Sequence, residues 1–212
     1  MHFRGMHLSR KSPIIQQFFS WYTGYLIRRD FSGYTYDEIS VAEDEAILLL
    51  ANHFSWWDGL LLFQLNRLVL KKNFHILVGQ TDFEKRWFLK YLGAFSPSST
   101  GKDTVATLRY AGQLLDNPEN LVLLFPQGKL YSAHVTAVNF EKGVMQVVNA
   151  SQKNFKIIFA ATFADYFASR KPRIKTALQC WEAEEYVSLQ LLKSEYNKHY
   201  TKTLKEQTKI IV

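Results

Sequence analysis

The stretch "AILLLANHFSWWDGLLLF" (residues 46–63) decides the fold. An unbroken apolar run ends at Ala51, and Asn52, His53, Ser55 and Asp58 follow before apolar residues resume at Leu60. A short continuous apolar run bounded by polar residues predicts a strand buried on both faces. The longer apolar segment after it predicts a helix over 56–72. Outward from here the two patterns alternate. Strands are expected at 74–79, 93–98, 121–125, 155–161 and 173–182. Helices are expected at 82–92, 103–116, 142–151 and 188–209. Buried strands separated by helices define an α/β fold: a mixed, largely parallel sheet covered by helices. In such sheets ligands sit beyond the carboxyl ends of the strands. That rule selects "NHFSWWD" (52–58) and "PQGK" (126–129).

The chain has 212 residues, enough for one domain with a sizeable core. Aromatic residues make up 15% and the formal net charge is +7, a balance that suits an anionic partner such as a membrane surface or nucleic acid. No helix-turn-helix, zinc-finger or RNA-binding-sheet motif is present, so nucleic acid is not expected. Cys180 is the single cysteine, which excludes internal disulfides and a cysteine-rich metal site and suits a reducing compartment. No apolar run reaches the roughly 20 residues that cross a bilayer, and the N-terminus does not read as a signal peptide. Residues 1–12 are polar, basic and expected to be loose. The following "SPIIQQFFSWYTGYLIRR" (12–29) opens with Ser-Pro and predicts a helix with Ile14, Phe18, Phe19, Tyr22, Tyr25 and Leu26 near one face. Two readings stand for it: a helix lying in the membrane interface, or one packed on the core by its aromatic face. The domain organisation expected is a basic N-terminus with a membrane-surface amphipathic helix (1–31), then a domain over 32–212.

His53 ending a strand and Asp58 in the first helical turn bring imidazole and carboxylate together. A carboxylate that accepts from one ring nitrogen leaves the other free as a base. No G-x-S-x-G elbow supplies a nucleophile, so the attacking group would be a substrate hydroxyl. The spacing has a second reading: Ser55-x-x-Asp58 matches a helix capping box, with His53 a buried histidine. A metal is not expected, since no second histidine or carboxylate stands at ligand spacing. "SPSSTGKD" (96–103) fails as a phosphate-binding loop, having Ser96 and Asp103 where Gly and Ser/Thr are needed. His75 reads as structural, Cys180 as a core residue and His134 as solvent-facing.

"NHFSWWD" resembles the H-x-x-x-x-D motif of the glycerolipid acyltransferases, the family that includes 1-acylglycerol-3-phosphate acyltransferase. Further blocks follow in that family's order: "GAF" (93–95), "FPQG" (125–128), which is similar to F-P-E-G, and "FEKG" (140–143), which is similar to F-K-x-G. The resemblance covers about residues 45–165 and implies a glycerol-3-phosphate acyltransferase-like fold. It implies transfer of an acyl group from a coenzyme A or acyl carrier protein thioester to a hydroxyl of a lipid acceptor, without a further cofactor. By the same resemblance His53 is the catalytic base and Asp58 its orienting partner, while Phe125, Pro126, Gln127 and Gly128 help hold the acceptor. A peripheral place on the cytoplasmic face of the membrane goes with it. Two departures stand out. Gln127 replaces the family's glutamate, and no arginine follows "GAF", leaving Lys102, Arg109 and Lys129 as candidates for an acceptor phosphate. The acceptor is either a lysophospholipid or a lipid without phosphate, such as an amino-acid lipid or an aryl polyene pigment. A non-catalytic lipid-binding member is the remaining alternative. The lysines of 188–209 form a solvated face, or one that meets headgroups or an acidic carrier protein.

Overall fold

The computed structural model describes residues 6–10, 12–42, 44–99, 101–182 and 186–212. Of the segment expected to be loose, residues 1–5 and 11 lie outside the described residues, as does Thr100 of the expected surface turn "SPSSTGKD". The strands are β1 (Met6–His7), β2 (Gly33–Tyr36), β3 (Ala46–Ala51), β4 (Asn73–Leu77), β5 (Ala94–Pro97), β6 (Asn120–Leu124), β7 (Phe155–Asp165) and β8 (Arg173–Trp181). The helices are α1 (Pro13–Asp30), α2 (Asp58–Leu65), α3 (Gln80–Lys85), α4 (Lys102–Leu114), α5 (Gly143–Val148) and α6 (Leu189–Gln207).

The described residues form one eight-stranded sheet in the order β1-β5-β4-β6-β3-β7-β8-β2. The central β5, β4, β6, β3 and β7 run parallel, β1 and β8 join antiparallel, and β2 pairs parallel with β8. The expected mixed, largely parallel sheet covered by helices is what forms. β3 lies at its centre and all six of its residues are buried, which is why it reads as a continuous apolar run.

Helices cover both faces. Leu62, Phe63 and Leu65 of α2 pack against Ile47, Leu49 and Leu123 on one face. Val144 and Val147 of α5 pack with Leu192 and Tyr196 of α6 against Leu48, Leu50 and Phe159 on the other. The adjacent strands β3 and β6 therefore send their following helices to opposite faces, opening a crevice beyond their carboxyl ends.

Several features differ from expectation. Cys180, expected in the core, is exposed near the end of β8. Met6–His7 pair with Pro97 and Ser96 instead of being loose. β2 is an edge strand of four residues, too short and too exposed to show a clear pattern. The helix expected over 56–72 is α2 followed by a wide π-type turn at Asn66–Leu70. There the Asn66 side chain donates to Lys72 O (2.8 Å) and accepts from Lys72 N–H (3.2 Å), which captures the chain and ends the helix. The helix expected over 82–92 breaks at Arg86 into α3 and a 3₁₀ turn, Leu89–Leu92. Gly93, at φ 94°, then turns the chain into β5; a Cβ there would lie 2.0 Å from Phe74 O, so only glycine fits.

α1 packs on the core along one side and leaves several aromatic residues exposed. Thr23, Gly24, Leu26 and Ile27 are buried, and Phe19 stacks on Phe88 at 5.1 Å. Ile14, Phe18, Trp21, Tyr22 and Tyr25 point outward, Trp21 with 61% of its surface exposed. No helix among the described residues is long and apolar enough to cross a membrane.

Candidate active site

The register of β3 on β6 builds the site. Leu50 pairs with Leu124, so His53 and Gln127 leave the sheet side by side. The His53 N–H donates to Gln127 Oε1 (2.7 Å), and His53 O accepts from the Tyr131 N–H (3.0 Å). The imidazole stacks on the Phe125 ring, with centroids 4.0 Å apart and planes 11° off parallel. On the other side, Asn52 extends the β3–β7 ladder through its side chain, donating to Thr162 O (2.9 Å) and accepting from Thr162 N–H (2.8 Å).

Asp58 does two things with one atom. Its Oδ2 accepts from His53 Nδ1–H (2.9 Å), from Phe54 N–H (2.7 Å) and from Ser55 N–H (2.9 Å). The bond to Ser55 N–H is one half of a capping box; the Ser55 hydroxyl accepts from Trp57 N–H (3.2 Å) instead of closing the other half. The capping and orienting readings of Asp58 therefore both hold geometrically. Phe54 and Ser55 spend their N–H groups on this carboxylate, so they are not donors for a developing oxyanion. Asp58 is 1% exposed, and its Oδ1 is buried with no hydrogen-bond partner among the described residues. Burial pushes its carboxyl pKa up, and the bonds from His53, Ser55 and Phe54 offset part of that rise.

His53 keeps 22% of its side chain accessible and lines a cavity of about 770 Å³ in the crevice. Apolar residues from α2, β4 and the 3₁₀ turn, among them Leu60, Phe63, Phe74, Ile76 and Leu89, form much of its wall. Phe125, Pro126, Gly128 and Lys129 also line it. Gly128 has φ 68°, a left-handed conformation that turns the chain sharply after β6. Gln127 is buried and serves His53 without lining the cavity. Lys102, at the start of α4, and Arg109, on its exposed side, do not line the cavity either. Sequence reasoning missed Arg86 and Trp56. The Arg86 guanidinium lies 5.8 Å from the Trp56 ring centre, pairs with Asp82 at 3.5 Å, and lines the same cavity as His53. No local spacing announces that meeting, because Arg86 and Trp56 are 30 residues apart and only tertiary folding joins them.

A hydrogen-bonded histidine–carboxylate pair thus stands at the end of a buried parallel strand and opens onto a largely apolar cavity. The Acyltransferase family model matches residues 34–160, more than half of the chain, and the protein belongs to that family. Its fold is similar to the crystal structure of the 1-acyl-sn-glycerophosphate (LPA) acyltransferase PlsC from Thermotoga maritima. The TM-score is 0.65 at 16% sequence identity, over 92% of this chain and 81% of that one. No curated protein matches the chain in sequence.

Proposed function

We propose that the protein transfers a fatty acyl group from a coenzyme A or acyl carrier protein thioester to a hydroxyl of a lysophospholipid or similar lipid acceptor. The observation that carries this is the 2.9 Å bond from His53 Nδ1–H to Asp58 at the edge of the apolar cavity. The carboxylate fixes the tautomer, so Nε2 is the basic nitrogen. It takes the proton of the acceptor hydroxyl as that oxygen attacks the thioester carbonyl. The C–S bond then breaks, and the imidazolium returns the proton to the departing thiolate. Asp58 stabilises the imidazolium without itself changing protonation. Phe125 holds the ring plane, and Pro126, Gly128 and Lys129 border the acceptor.

The exposed aromatics of α1 support a peripheral place on the cytoplasmic face of an anionic membrane, where Trp and Tyr favour the headgroup level. In this reading residues 1–31 meet the membrane and 32–212 carry the chemistry. The test is thiol release from acyl-coenzyme A and acyl carrier protein thioesters in the presence of a total bacterial lipid extract. Wild type should release thiol and yield a new acylated lipid; folded His53→Ala should do neither. Equal release by both proteins would refute the role of His53.

A further inference from the structure

The charges around the cavity are balanced. Among the described residues, Arg86 and Lys129 line it as cations, and Asp82 and Glu141 as anions. All four are exposed or half-exposed, so they form the open rim and not the apolar wall. Asp82 lies within α3 and Arg86 directly after it; Lys129 and Glu141 stand near the two ends of the segment from β6 to α5. Each of the two segments thus brings one charge of each sign to the cavity, and Arg86 pairs with Asp82 at 3.5 Å.

A phosphate monoester, with close to two negative charges at neutral pH, is poorly served by this rim. It would meet two carboxylates along with its two cations, and like charges brought together select against a ligand. Other cations nearby in sequence, Lys102 and Arg109, lie outside the cavity. A headgroup with one anion and one cation meets an opposite charge for each of its own.

We infer that the acceptor's headgroup is zwitterionic. Its anionic group faces Arg86 and Lys129, its ammonium faces Asp82 and Glu141, and its free hydroxyl reaches His53. The inference rests on the proposed acyl transfer to a lipid and narrows its acceptor. The same charge pattern occurs in a phosphodiester with an ammonium and in an amino-acid lipid with a carboxylate and an ammonium.

The test uses the full chain, an acyl thioester donor and acceptors of matched acyl chain. These are lysophosphatidate, lysophosphatidylethanolamine and an N-(3-hydroxyacyl)ornithine, with products quantified by mass spectrometry. At least one zwitterion should exceed lysophosphatidate in kcat/KM by about tenfold or more, and the better of the two identifies the source of the anionic group. Asp82→Asn should shrink that margin by about threefold to tenfold by removing repulsion toward the monoester. Equal or better use of lysophosphatidate overturns the inference while leaving acyl transfer intact. Binding of the same lipids to His53→Ala, followed by tryptophan fluorescence, gives a readout independent of turnover. Tighter binding of a zwitterion supports the inference even if no acyl transfer is found. Tighter binding of lysophosphatidate, or binding of none of the lipids, overturns it.

Discussion

Replacing Asp58 with asparagine separates its two duties. The asparagine oxygen can still accept from Phe54 and Ser55 N–H, so the start of α2 survives. Three charge-assisted bonds on Oδ2 become neutral ones, each weaker by about 1 kcal/mol, while the cost of burying a charge disappears. These effects oppose one another, and the net change in stability should be about 1 kcal/mol, or about 2–4 °C in Tm for a chain of this length. Catalysis has no such compensation. The asparagine oxygen still accepts from Nδ1–H, but the imidazolium loses its counter-charge. A loss of about 10²–10⁴ in kcat is expected, equivalent to about 3–5 kcal/mol. Asp58→Ala should lose as much activity and also destabilise by about 2–5 kcal/mol, because two backbone N–H groups and a cap lose their acceptor. Thiol release measures the first quantity and thermal unfolding by circular dichroism the second. The reasoning is refuted if Asp58→Asn, folded and within a few degrees of wild type, keeps more than about a tenth of its kcat.

Other perturbations read different parts of the molecule. Gln127→Leu removes the acceptor of the His53 N–H and should lower stability by about 1–3 kcal/mol, seen as a fall of several degrees in Tm; an unchanged Tm would deny Gln127 that role. His199 is buried, its ring Nε2–H donates to Ala177 O at 3.1 Å, and burial lowers its pKa. The unfolded chain then binds the extra proton more readily, so this stabilisation is complete above about pH 6.5 and is lost as pH falls through the folded value. His199→Gln should therefore flatten the decline of Tm between about pH 7.5 and about pH 5; parallel profiles would argue otherwise. Phe18→Ser with Trp21→Ser removes exposed apolar surface that packs little on the core. Sedimentation with anionic liposomes should drop by about tenfold without loss of Tm, if α1 is the membrane contact.

The buried centre of the fold was the most legible part in sequence. β3 spans the residues its apolar run predicts, since a strand covered on both faces shows its burial at every position. The edges were less legible. β2 has one partner strand, β8, and half-exposed residues, so it imposes little pattern. The break at Arg86 carries no proline or glycine; the rings that pack there, Phe88 on Phe19, come from a distant helix. In the site, His53 and Asp58 could be read together because strand end and first helical turn are local. Gln127 was read as touching the acceptor, but the β3–β6 register turns it toward His53, and register is invisible in a single segment. Lys102 and Arg109 were plausible from their distance along the chain, yet the cations lining the cavity are Lys129 and Arg86.

The sharing of Asp58 Oδ2 between the start of α2 and the imidazole has a consequence for how the protein is made. A chain that has begun this helix through Asp58 has already aimed His53. Folding and arming become one event, and little reorganisation remains for the moment of reaction. The same sharing ties the fates of the two: damage that loosened the first turn of α2 would also free the imidazole from its carboxylate. At this corner, inactivation would be a sign of local unfolding.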